Sequence, residues 1–65
     1  MIVQLNGERF ETGATTLLAL LEEAGYGAAT VATALNGAFV AREARAETEV
    51  QAGDQVEVLA PMQGG

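Results

Sequence analysis

Apolar and polar residues alternate near both ends of this chain and switch to a helical spacing between them. Val3 and Leu5 flank Gln4, and Phe10 sits between Arg9 and Glu11, so segments of period 2 lie on either side of Asn6-Gly7. Asn-Gly supplies the positive-φ positions of a type I′ turn, and the pattern predicts a β-hairpin of well-defined register. Thr15 or Thr16 then offers an N-cap, and Leu17, Leu20, Leu21 and Ala24 recur on one face of a short amphipathic helix whose stripe belongs to the core. Gly25 and Gly27 are of the residue type that ends helices in the left-handed conformation. Glu22 and Glu23 fall in the last turn, where negative charge opposes the helix dipole, and the pattern gives no reason for them.

Alternation returns downstream. Residues 30–35 are small or β-branched and run into a second Asn-Gly pair, Asn36-Gly37, followed by Phe39 and Val40, which predicts a second hairpin. Residues 41–48 are polar and weakly patterned, consistent with a loop containing one helical turn. Gly53-Asp54 marks a turn, and Val56 and Val58 alternate with Gln55 and Glu57 in a final strand that buries one face. In this register Leu59 and Phe39 fall on or near the outer face of the sheet. Pro61 lacks a ladder donor and fixes φ, so the strand should end at Ala60. That divides the chain into a domain of residues 1–60 and a flexible C-terminal tail of residues 61–65. The order hairpin, helix, hairpin, strand reads as an α+β fold of the β-grasp type, a mixed sheet of four to five strands packed on one helix. In that arrangement the last strand lies parallel beside the first.

A chain of 65 residues has room for one hydrophobic core, and 49% hydrophobic with 18% charged residues is too apolar for a disordered segment. The longest strongly apolar run, from Leu17 to Leu21, falls far short of the ~18 residues of a membrane span. Met1 leads directly into the strand pattern without the features of an export signal, and the expected compartment is the cytoplasm. Cysteine is absent, so packing alone must hold the fold, and at this size it has roughly 3 to 10 kcal/mol in reserve. Nine acids against Arg9, Arg42 and Arg45 give a net charge of -6, which repels nucleic acid and anionic membranes and attracts basic-faced proteins. Lysine is also absent, which removes Schiff-base chemistry and any ε-amine for conjugation.

Without histidine or cysteine the usual nucleophile, base and metal constellations are missing, and the carboxylates show no metal-loop spacing, so neither a metal nor a catalytic residue is assigned. Chemistry then rests with Gly64-Gly65. An α-carboxylate with a pKa of ~3.5 is ionised at neutral pH and is a poor electrophile until ATP converts it to an acyl-adenylate. A final glycine places no Cβ beside the reacting carbonyl, and the glycine before it lets the backbone pass a narrow enzyme channel. At ~3.3 Å per residue, residues 61–65 can reach roughly 17 Å from the domain.

Ala34-Leu35-Asn36-Gly37 with Val40 and Arg42, the run Gly53-Asp54-Gln55-Val56-Glu57-Val58, and the ending Pro61-Met62-Gln63-Gly64-Gly65 resemble the ThiS family of ubiquitin-like sulfur carriers. The likeness runs nearly end to end, and the hairpin at Asn6-Gly7 and the length share in it. Ala41 departs from the proline usual before the arginine, a change confined to a loop. The resemblance implies that Gly65 is adenylated by a ThiF-type adenylyltransferase, which uses ATP, while the chain itself binds no cofactor. A thiocarboxylate would follow, its sulfur coming from cysteine through a cysteine desulfurase. The charged carrier would dock on thiazole synthase, ThiG, and give its sulfur to the thiazole ring of thiamine. The chain is then a protein co-substrate rather than an enzyme. Gly64, Gln63, Met62 and Pro61 would thread into partner sites, Met62 as an adaptable apolar contact, with Leu59, Phe39 and Arg42 as candidate docking residues. Three other readings share features of this sequence: the small subunit of molybdopterin synthase, usually longer; a non-covalent β-grasp interaction module with an idle tail; and a protein-conjugating modifier.

Overall fold

The computed structural model describes residues 1–27 and 30–60. The tail expected at residues 61–65, with its site residues Pro61, Met62, Gln63, Gly64 and Gly65, lies outside the described residues. Strands β1 (Ile2–Leu5) and β2 (Glu8–Glu11) form an antiparallel pair with Val3 opposite Phe10 and Gln4 opposite Arg9. Between them Asn6 (φ 52°) and Gly7 (φ 82°) take the left-handed conformations that the type I′ turn requires. The second hairpin repeats this with β3 (Ala32–Leu35), β4 (Ala38–Val40), Asn36 at φ 52° and Gly37 at φ 86°.

Strand β5 (Gln55–Leu59) lies between the hairpins, parallel to β1 and antiparallel to β3, in a five-stranded sheet of order β2-β1-β5-β3-β4. The mixed sheet of the β-grasp fold is therefore present, with the last strand at its centre. The strand stops at Leu59, one residue before the end expected from Pro61.

Helix α1 (Leu17–Glu23) covers the inner face. Thr16 is its N-cap, the side-chain oxygen accepting from the Ala19 amide at 3.2 Å, which decides between the two threonines. The helix closes at Gly25 (φ 94°), whereas Gly27 does not take a positive φ. Ala24, expected on the core stripe, is instead the C-cap and only half-buried, since the helix has already ended. Seven residues are too few for a helix to persist unaided, so packing must supply its stability. Leu17, Leu20 and Leu21 are buried with Val3, Ala14, Val50, Val56 and Val58, and each leucine contributes about 1.5–3 kcal/mol by leaving water. Backbone bonds from the Leu17 amide to the Thr48 carbonyl (2.8 Å) and from the Val50 amide to the Thr15 carbonyl (3.0 Å) moor the start of α1.

Glu23 has a partner that the sequence pattern did not disclose. The hydroxyl of Thr12, a buried residue just after β2, donates to its carboxylate while accepting from the Ala14 amide at 2.9 Å. This ties the exit of the first hairpin to the end of α1. Residues 42–47 also depart from expectation. Instead of a loop with a single turn they form a 3₁₀ helix, Arg42–Glu47, in which Arg45 is buried.

Candidate functional site

β5 is held from both sides, and it is the strand that leads to residue 61. On one flank the Gln4 amide donates to the Asp54 carbonyl and the Asn6 amide to the Val56 carbonyl, both at 2.9 Å. The ladder should stop where β1 turns away, yet Asn6 Oδ1 accepts from the Val58 amide at 2.8 Å and extends it by one bond. On the other flank the Asn36 amide donates to the Gln55 carbonyl at 2.7 Å, and Asn36 Oδ1 accepts from the Gln55 amide at 2.9 Å. Asn36 Nδ2 also donates to Asp54 Oδ1 at 3.1 Å, and Asp54 Oδ2 accepts from the Gln51 amide at 2.8 Å. The asparagines of both hairpin turns therefore clamp the central strand as well as shaping their turns.

The outer face of the sheet is divided. Strand alternation from the buried Val3, Val56 and Val58 sets Arg9, Glu11, Gln4, Gln55 and Glu57 outward on its β2-β1-β5 side, which is mostly polar with half-buried Ile2 among them. Toward β3 and β4 it turns apolar. Phe39 (74% exposed) and Leu59 (68% exposed) flank β3, whose Ala34 pairs with Phe39 and whose Ala32 pairs with Leu59. They line a shallow depression of about 120 Å³ with Ala32, Thr33, Ala34 and Glu57. With this much surface in water, core packing does not account for Phe39, and Leu59 adjoins the segment leading to the tail. Arg42 is exposed but does not join this patch; it lines a separate cleft with Leu18 and Leu21 of α1. Two of the three candidate docking residues are thus brought together and the third is set apart.

Sequence reasoning missed Arg45 and the reach of Asn6 and Asn36. The three-residue spacing of Arg42 and Arg45 was a usable signal, because positions i and i+3 eclipse in a 3₁₀ helix. No helix among the described residues is long and apolar enough to cross a membrane.

The profile of the ThiS family matches residues 3–65, nearly the entire chain. The chain belongs to the ThiS family. A crystal structure of the thiamine biosynthesis protein ThiS from Geobacter metallireducens is similar at 36% identity with a TM-score of 0.85, and the likeness covers 100% of both chains. No curated protein matches the chain. Both the ThiS family assignment and the β-grasp architecture expected from the sequence therefore stand, and the arrangement around β5 is a description of a ThiS family member.

Proposed function

We propose that this chain is the sulfur carrier of a thiamine biosynthetic system, its Gly65 carboxylate being adenylated and then converted to a thiocarboxylate. The observation that carries the proposal is the ThiS family match running through residue 65, diglycine included, in a fold whose central strand leads into that end. An ionised carboxylate resists attack until its oxygen is made part of a good leaving group, here AMP. The terminal sulfur of a persulfide then displaces AMP to give an acyl disulfide, and a thiol cleaves its S–S bond, forming a disulfide and leaving one sulfur where one carboxyl oxygen stood. A ThiF-type adenylyltransferase would bind ATP and catalyse activation, a cysteine desulfurase would supply sulfur, and thiazole synthase would accept it. The carrier's contribution is presentation: a strand clamped on both sides and a terminus without side chains.

Phe39 and Leu59 would form the docking surface for these partners. They are large, apolar and open to water, and Leu59 is the last residue of β5, as suits an anchor for a partner. A net charge of -6 would hasten encounter with a basic partner face. Gly65→Ala tests the terminal chemistry: the Cβ would stand beside the reacting carbonyl. We expect an unchanged melting temperature and a loss of sulfur transfer to thiazole of about 10-fold or more. Undiminished transfer by this variant would contradict the steric argument.

A further inference from the structure

On the helix side of the sheet, away from the apolar patch, a cleft of about 340 Å³ opens between α1, the start of β3 and the 3₁₀ helix. Its walls include Leu18, Leu21, Tyr26 and Thr30, together with Arg42 and Arg45, two of the three arginines in a chain of net charge -6. Both arginines face the same space because they stand three residues apart on a 3₁₀ helix.

Arg45 is only 7% exposed. Its Nε donates to Thr33 Oγ1 at 3.0 Å and its Nη2 to the Val31 carbonyl at 2.6 Å, and Thr33 in turn donates to the Val40 carbonyl at 2.8 Å. All of these acceptors are neutral. Among the described residues the one ion pair joins the Met1 amino group to Glu11, so neither Arg42 nor Arg45 has a carboxylate partner. A guanidinium stays protonated even when buried, and taking it out of water without a counter-charge is costly. It also has more N–H donors than Thr33 and Val31 occupy. Among the described residues no buried side-chain nitrogen is left without a partner, and Arg45 forms part of the cleft wall.

We propose that this cleft is an oxyanion-binding site whose ligand is the carboxylate or phosphate of a small molecule. The Arg45 guanidinium is fixed in place by Thr33 and Val31 before any ligand arrives, so little side-chain freedom is lost on binding. Arg42 supplies the second charge from the more exposed side, and Leu18, Leu21 and Tyr26 lower the local dielectric, which strengthens charge-assisted hydrogen bonds. The volume suits a small molecule. Glu22, whose side chain runs beside Gly27 at the rim, opposes an anion and keeps the affinity modest. This inference is independent of the sulfur-carrier reading.

The test is a titration of the full ¹⁵N-labelled chain with sodium acetate and, separately, sodium phosphate at constant ionic strength, with sodium chloride as the control. Arginine Nε–Hε signals and the Gly27 and Thr30 amides are followed. At least one oxyanion should produce saturable shifts at Arg42 and Arg45 but not at Arg9, half-complete on the order of 1–10 mM. The acetate and phosphate arms distinguish the two headgroups. Arg42→Gln, a change at an exposed position, should raise the half-saturation about 5-fold or more with an otherwise native spectrum, while Arg9→Gln should leave it unchanged. Shifts that grow without saturating in both titrations, that chloride reproduces, or that persist unaltered in Arg42→Gln would overturn the proposal.

Discussion

Asn6 and Asn36 occupy equivalent places in two hairpins, and each uses its backbone and its side chain for different ends. The backbone supplies a positive φ, while Oδ1 accepts an amide from β5. Glycine can take the same φ but has no acceptor, so Asn6→Gly separates the two roles. We expect this variant to keep the hairpin, to lose about 1 kcal/mol of stability in urea denaturation, and to speed hydrogen exchange at the Val58 amide. Unchanged exchange at Val58 would show that the side-chain bond contributes nothing. Asn-Gly was legible as a turn because its φ requirement is local. The destination of the side chain was not, since Val58 lies 52 residues from Asn6 and alternation assigns a face without naming a partner. Arg45 escaped notice for a related reason: an arginine in a polar stretch ordinarily reads as solvated, and its burial depends on Thr33 of β3 and on Val31 just before that strand.

At the scale of elements, α1 and the 3₁₀ helix differ in how plainly the sequence announced them. The leucine spacing of α1 is a strong signal, and Leu17, Leu20 and Leu21 are indeed buried while Leu18 is 39% exposed. The 3₁₀ helix has no apolar stripe and follows from its packing against α1 and the mooring of Thr48 and Val50. Glu23 likewise made sense only once Thr12 was beside it. Because so short a helix depends on its buried face, Leu20→Ala should cost about 2–5 kcal/mol in urea denaturation, a large share of the total. Leu18→Ala should cost less than about 1 kcal/mol. Equal losses at both positions would mean that the face assigned to the core is wrong.

Across the whole molecule, the sheet separates two kinds of surface and holds β5 at its centre. The five-stranded order follows from two hairpins joined through a last strand that needs partners on both edges. Alternation gave the strands and placed Phe39 and Leu59 outward; the parallel β1–β5 pairing needed the three-dimensional fold, because periodicity does not specify neighbours. If the apolar half of the outer face docks partners, Phe39→Ser combined with Leu59→Ser should weaken binding to the adenylyltransferase by about 10-fold or more in calorimetry. Its melting temperature should barely move, because neither side chain is in the core. Full-strength binding by the double variant would move the docking surface elsewhere. The proposed function itself rests on a carboxyl oxygen being replaced by sulfur at Gly65, and the intact mass of the chain reads that event without intermediaries. After incubation with a ThiF-type adenylyltransferase, ATP, a cysteine desulfurase with cysteine and a thiol reductant, the mass should rise by the difference between one sulfur and one oxygen atom; an unchanged mass, with the same enzymes charging an established carrier alongside, would contradict the account.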